Sequence, residues 1–381
     1  MDQTLRLAFL YIAEAYQLYH AAGIMFELMR EPGVEVDVFY IDEAVPEHLE
    51  RLRRAHDAPQ ITPVHLPAGM LGSLIQSVRL LGLAKPQVLA KNAARFREYD
   101  ALLSTEDGIV RLFADKVPSQ RPARIVISHG VGGRFVPSFS DLTKADLIVA
   151  KGPGDVENLV GRGLVRKEQV MAGGDQKLAS SRLLARQDTP LFANDNPIVL
   201  YNPHKEPSQR SWDRFFRPLL EGFRADRSRN LVIAPHVKMF RRRTERLRQK
   251  LRNMSDDTIL FDPGSFASLD NTYTEAADIY VGDVSSQVAE FLVRPRPCVF
   301  LNAHGVDWRE DPHYAMWHMG EVIDDPGEVM AAIERAPRLH AQFRERQESF
   351  AKRALGDTSE QSAAKAATAI KTFIGNWKQS A

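Results

Sequence analysis

The feature that most constrains this chain is the recurrence of short apolar, β-rich runs separated by stretches long enough for a helix. LRLAFLYI (5–12), VEVDVFYI (34–41), ITPVHL (61–66), DALLST (100–105), ARIVISHG (123–130), ADLIVAK (145–151) and EQVMAGG (168–174) follow one another through the first half. Helical patterning fills 16–30 and roughly 68–98. Strands covered on both faces lose the alternation of a half-exposed sheet, and parallel neighbours need a crossover between them. The first half is therefore expected to form a doubly wound parallel sheet.

Between 175 and 196 the pattern lapses into a polar stretch ending in turn formers, which reads as an interdomain crossing. It then restarts with PIVLYNPH (197–204), a helix near 211–225, NLVIAPH (230–236) and a basic helix near 241–252. TILFD (258–262), ADIYVGD (277–283), a helix over 285–293 and CVFLN (298–302) follow. The remainder reads as mostly helical, with a capping-box start at Thr358 or Ser359. A chain of 381 residues is long for one core. The expected architecture is α/β, with two Rossmann-like doubly wound domains over 1–180 and 195–355 facing across a cleft. A C-terminal helix over 356–381 is expected to pack back on the first domain.

Bulk properties exclude several classes. Fifty Lys+Arg against 49 Asp+Glu argue against a nucleic-acid binder. A single cysteine, Cys298, rules out a disulfide framework or a thiolate cluster, and no histidine pair has metal-ligand spacing. No metal or cofactor is expected. The N-terminus lacks the basic-then-apolar layout of an export signal, and no window of eighteen apolar residues occurs, so a cytoplasmic protein is expected. FRRRTERLRQKLR (240–252) reads as a solvated basic helix and LPAGMLGSLIQSVRLLGLAKP (66–86) as core. Both leave open a peripheral contact with the inner face of a membrane. A homo-oligomer is also left open.

Ligands of open α/β sheets bind beyond the carboxyl ends of the strands, so the polar residues just after each apolar run are the candidates. In ISHGVGGRF, His129 ends a strand and Gly130, Gly132 and Gly133 precede Arg134, a turn suited to an anion or to a capped tight turn. In VIAPHVKMF, His236 ends another strand with Lys238 two residues on. In YVGDVSSQVAEF, Asp283 precedes Ser285 and Ser286 at a helix start, with Glu290 one turn later. One serine suffices to cap the helix; two suggest a phosphate seat, with Glu290 near a ribose. In VLYNPHKEPSQRSW, Asn202, His204, Lys205 and Arg210 could face a diphosphate or form a solvated loop.

With these residues in place the chain resembles glycosyltransferases of GT-B architecture, and more narrowly the CDP-glycerol glycerophosphotransferases of the teichoic-acid polymerase and primase family. The resemblance rests on His129-Gly130, on GGDQKLA (173–179), on His236, and on Asp283-x-Ser285-Ser286 with Glu290, over roughly 120–302. The loop NPHKE stands where that family has an aromatic-basic signature, so CDP-glycerol and nucleotide-sugar donors both stay open. The resemblance implies transfer of glycerol phosphate or a sugar to a hydroxyl of a glycan or lipid-linked acceptor. His129 would be the base and His236 a phosphate donor group. Asp283, Ser285, Ser286, Glu290, Asn202, Lys205 and Lys238 would hold the nucleotide, with Gly130, Gly132, Gly133 and Arg134 on the acceptor side. The donor is a substrate, not a cofactor. The alternatives are a non-hydrolysing UDP-N-acetylglucosamine 2-epimerase and a non-catalytic nucleotide-binding subunit of a polysaccharide assembly complex.

Overall fold

A computed structural model describes residues 4–67, 81–130, 141–185, 190–241 and 243–380. The chain divides into two compact units, Met1–Arg186 with Arg353–Ala381, and Gln187–Lys352.

In unit one, β1 (Leu5–Tyr11), β2 (Val34–Tyr40), β3 (Val64–His65), β4 (Ala101–Ser104), β5 (Ala123–Ile127), β6 (Leu147–Ala150) and β7 (Val170–Ala172) form one sheet. Its order is β3-β2-β1-β4-β5-β6-β7, and every pairing is parallel. The apolar run of β1 shows why this works. Leu7, Phe9 and Tyr11 enter one core, and Ala8 and Leu10 enter another on the opposite face. A strand with two buried faces cannot alternate with polar residues. The crossovers carry α1 (Ala22–Arg30), α2 (Val45–Ala55), α3 (Leu81–Asn92) and α4 (Pro153–Gly161), and α5 (Gln176–Ala185) follows the last strand.

Unit two repeats the plan with β8 (Ile198–Asn202), β9 (Asn230–Ile233), β10 (Ile259–Phe261), β11 (Ile279–Gly282), β12 (Cys298–Leu301) and β13 (Glu321–Ile323). The order β10-β9-β8-β11-β12-β13 is again all parallel. Its helices are α6 (Trp212–Ala225), α7 (Glu245–Arg252), α8 (Thr272–Ala276), α9 (Ser286–Phe291), α10 (Val329–Leu339) and α11 (Arg344–Leu355). The chain then returns to unit one with α12 (Ser362–Ser380), whose Ala366, Ala367, Ile370 and Ile374 share a core with α1. Cys298 is buried, which pushes its thiol well up. No helix among the described residues is long and apolar enough to cross a membrane.

Several local expectations change. The polar stretch expected as a crossing contains α5, because Asp175 Oδ1 accepts from the N–H groups of Lys177 (3.0 Å) and Leu178 (3.2 Å) and so caps it. Its serines are buried with partners, Ser181 Oγ on Lys177 O at 2.7 Å and Ser180 Oγ with His56 at 2.9 Å, so a polar sequence packs as a core helix. The expected helix 16–30 splits into a 3₁₀ segment, Ala15–His20, and α1. Residues 68–80 of the next expected helix lie outside the described residues; α3 and a 3₁₀ segment, Ala93–Glu98, make up the rest. The final helix begins at Ser362 instead of Thr358 or Ser359, because Asp357 takes the Ser359 N–H (2.9 Å) into a turn before it. The three-residue strand β13 was not expected; it is too short for periodicity to register.

Candidate functional site

Both sheets reverse their strand order once, where β1 lies beside β4 and where β8 lies beside β11. Crevices at the carboxyl ends of such strand pairs are where this architecture binds ligands.

In unit one the residues beyond these strands form one polar network. Thr105 and Glu106 follow β4, Gln17 and His20 follow β1, and His129 follows β5. His129 Nδ1 lies 2.8 Å from the Thr105 carbonyl oxygen, which can only accept, so Nδ1 carries the hydrogen and Nε2 holds the lone pair. The Thr105 hydroxyl donates to Gln17 Oε1 (2.7 Å), and Gln17 Nε2 donates to Glu106 Oε1 (2.7 Å). Lys85 closes the network with an ion pair to Glu106 at 2.7 Å. His129 keeps accessible surface, yet the protein crowded around it desolvates its charged form and lowers its pKa. The Glu106 charge and the Thr105 bond oppose that shift, and Lys151 and Lys85 add to it. Such a ring is neutral at pH 7, with a lone pair to accept a proton. Lys151, after β6, pairs with Asp175 at 2.6 Å, and both side chains are buried.

In unit two the β8/β11 pair meets in register at Asn202 and Gly282, and a Cβ on Gly282 would sit 2.7 Å from the Asn202 carbonyl oxygen. Only glycine permits that approach. The next residue, Asp283, is fully buried, and its Oδ2 accepts from the N–H groups of His204 (2.7 Å) and Ser211 (2.9 Å). Burial pushes its carboxyl up to about 7, against the pull of those bonds. Asp283 thus holds the loop 203–211 in place through Oδ2, while its buried Oδ1 has no hydrogen-bond partner among the described residues.

The loop presents His204 toward His236, with ring centroids 5.9 Å apart. His204 Nδ1 accepts from Glu206 N (3.2 Å) and His236 Nδ1 accepts from Lys238 N (3.1 Å). Both histidines therefore carry hydrogen on Nε2, the tautomer opposite to that of His129.

Other expectations are revised by what the side chains already do. Asn202 is buried, donating one amide N–H to Ala234 O at 2.6 Å and accepting from Tyr280 Oη at 3.2 Å. Ser285 is the N-cap of α9, accepting from Gln287 N at 3.2 Å. With α9 only six residues long, its dipole is too small to make the helix start an anion seat unaided. Ser286 opens α9, but its side chain lies outside the described residues, as do Gly132, Gly133 and Arg134. Glu290 is buried, Gly130 is exposed, and Lys238 is half-buried beside His236. Lys205 pairs with Glu206 at 2.7 Å and Arg210 with Asp213 at 2.7 Å. Sequence reasoning passed over Gln17, His20, Glu106, Lys151, Asp175 and Lys177 as site residues, although Glu106, Lys151, Asp175 and Lys177 stand at or just after the end of an apolar run.

No family model and no curated protein matches this chain. Solved structures do resemble it. UDP-GlcNAc 2-epimerase from Neisseria meningitidis bound to UDP-GlcNAc aligns over 98% of this chain and 100% of its own, at a TM-score of 0.61 and 13% identity. MnaA of S. aureus with UDP aligns over 97% of each chain, at 0.64 and 13%. The wall teichoic acid polymerase TagF aligns over 98% of this chain and 90% of its own, at 0.61 and 11%. At these identities the likeness shows the fold: two parallel-sheet α/β domains of GT-B type. Epimerases and a polymerase share it.

Proposed function

We propose that the chain is a group-transfer enzyme that moves glycerol phosphate or a sugar from a nucleotide-diphosphate donor to a hydroxyl acceptor. The observation that carries this reading is the opposite setting of the histidine tautomers in the two units. His129 offers a lone pair on Nε2, because its Nδ1–H is spent on the Thr105 carbonyl. His204 and His236 each carry the hydrogen on Nε2, because their Nδ1 atoms accept backbone N–H groups. One ring is set to take a proton and two are set to donate hydrogen bonds, which is the division of labour that transfer requires.

In this mechanism His129 Nε2 removes the proton of the acceptor hydroxyl as its oxygen attacks. If the donor is CDP-glycerol, the attack falls on phosphorus and a phosphodiester forms; if it is a nucleotide sugar, the attack falls on the anomeric carbon. Either way the bond to the nucleotide phosphate breaks and that phosphate gains charge. His204 and His236 would stabilise it through Nε2–H donors already oriented by the backbone, with Lys238 as the nearby cation. Asp283 contributes by fixing the loop that carries His204. The carboxylates near His129 do not compete for the role of base, since Glu106 is paired with Lys85 and Asp175 with Lys151. The reading is further supported by nucleotide-bound and polymerase structures among its fold neighbours.

The test is a thermal-shift screen against CDP-glycerol, CMP, CDP, UDP and UDP-sugars, followed by a transfer assay with the donor that raises the melting temperature. Conversion of UDP-N-acetylglucosamine with no acceptor present would replace transfer by epimerisation. Tight nucleotide binding without product across a panel of acceptors would assign a non-catalytic subunit.

A further inference from the structure

A neutral imidazole side chain free in water favours the hydrogen on Nε2. The tautomer that His129 needs as a base is therefore the intrinsically poorer one, and it lasts only while the Thr105 carbonyl stays beside Nδ1. Thr105 lies one residue past the end of β4, whose last partner in the ladder is Ser104 against Val126. Side chains hold the turn instead. Ser104 Oγ donates to Leu10 O (2.7 Å) and accepts from Glu106 N (3.1 Å). Gln17, in the 3₁₀ segment after β1, takes the other two residues at once, Thr105 through Oε1 and Glu106 through Nε2. The amide can sit only one way round. Lys85 only donates, so Glu106 meets it as an ionised acceptor. Glu106 Oε1 must then take its hydrogen from Gln17 Nε2, which turns Gln17 Oε1 toward Thr105 and obliges that hydroxyl to donate. Gln17 and Thr105 are only 4% and 2% exposed, so water does not stand in for either partner.

We propose that Gln17 is a positioning residue for His129: by holding Thr105 and Glu106 on one amide, it aims the carbonyl that keeps the ring in its proton-accepting tautomer. Its effect on rate rests on the reading of His129 as the base; its effect on the ring does not. The Glu106–Lys85 pair acts further back, by fixing which end of the Gln17 amide faces Thr105. The bridge also spans the place where the sheet reverses order, since Gln17 follows β1 and Thr105 follows β4. The ends of those two strands are thereby joined, through one buried side chain, to the ring that follows β5. Cutting the bridge leaves a buried hydroxyl to find another acceptor, and the turn moves to supply one.

The experiment follows the histidine ring nitrogens of the full, isotopically labelled chain by NMR, with no donor present, at about pH 8, well above the ordinary histidine value. The His129 signals are identified by their loss in His129→Ala. A ring nitrogen without hydrogen resonates far downfield of one that carries it, so the tautomer is read directly. In the natural chain His129 Nε2 is expected downfield. Gln17→Met keeps the length of the side chain without its donor and acceptor, and Thr105→Val replaces the hydroxyl with a methyl group. Both are expected to move Nε2 upfield as the tautomers mix, whereas Thr105→Ser, which keeps the hydroxyl, should match the natural chain. With a donor that is turned over, Gln17→Met should lower kcat by about tenfold and leave KM within about threefold, since a mixed tautomer forfeits part of the contribution of an acid–base group. An Nε2 signal unchanged in Gln17→Met and Thr105→Val overturns the positioning role, as does a natural chain whose Nε2 carries the hydrogen. Thr105→Val preserves shape, so it answers the question even where Gln17→Met fails to fold. Because the tautomer is read without donor, failure of group transfer registers separately: a chain that shows the expected tautomers but transfers nothing keeps this control of the ring and loses the proposed reaction.

Discussion

Asp283 offers the sharpest quantitative test, because one buried carboxylate supports the loop that carries His204. Its carboxyl stands at about 7 in the fold against 3.8 in an unfolded chain, a gap of about three pH units, which corresponds to about 4 kcal/mol. The sign follows from which state holds the proton. Between pH 4 and 7 the folded chain keeps the Asp283 proton that the unfolded chain has released. The contribution of Asp283 to stability should therefore be greatest below pH 4, fall as pH rises through 7, and level off above it. Asp283→Asn keeps an acceptor for the His204 and Ser211 N–H groups but carries no charge at any pH. The difference between the variant and the natural chain should thus move in favour of asparagine by up to about 4 kcal/mol between pH 4 and 8. Urea titration with tryptophan fluorescence reads this selectively, since Trp212, Trp308 and Trp317 belong to unit two and Trp377, the last of four, to unit one. Asp283→Ala should follow the same pH dependence but lie below Asp283→Asn by about 1–3 kcal/mol for each orphaned N–H. A difference between Asp283→Asn and the natural chain that does not vary with pH would refute the reasoning.

The other expected outcomes concern His129, His236, Asp175 and Gly174. His129→Ala should lower transfer by more than about a hundredfold with the fold intact by circular dichroism, and near-normal turnover would reject the base assignment. Because burial lowers the His129 pKa, any transfer by the natural chain should hold its rate below pH 6.5, the ordinary histidine value, before protonation stops it. His236→Gln, which retains an N–H donor, should keep more activity than His236→Phe, for which a loss of about a hundredfold is expected; equal losses would argue against hydrogen-bond donation. In unit one, Asp175→Asn should cost about 3–5 kcal/mol by leaving Lys151 buried without its counter-charge, and pairing it with Lys151→Met should recover most of that in urea titrations. Gly174→Ala should destabilise more than Gly163→Ala. Both glycines have positive φ, at +80 and +65, but a Cβ on Gly174 would overlap the Asp357 carbonyl oxygen whereas that on Gly163 meets nothing.

Much of the architecture can be read directly from the chain, because strands buried on two faces must be continuously apolar and their crossovers must be long. That requirement is local, so β1, β8 and β11 stand out as runs of letters, and His129, His204 and His236 stand out as the polar residues that follow such runs. Short or polar elements escape it. The strand β13 has three residues, and the helix α5 hides its buried face among serines whose hydroxyls find partners only after folding. Site chemistry divides in the same way. That Asp283 would matter is apparent from its place after Gly282, but whether it meets a ligand or two backbone N–H groups depends on a loop about 75 residues earlier in the chain. Residue type cannot reveal which nitrogen of a histidine carries the hydrogen. The Thr105 carbonyl decides it for His129, and the Glu206 and Lys238 N–H groups decide it for His204 and His236. Burial patterns are properties of a segment and survive in sequence; hydrogen-bond partners, orphan atoms and the shifts they impose are properties of neighbours, and only folding chooses neighbours.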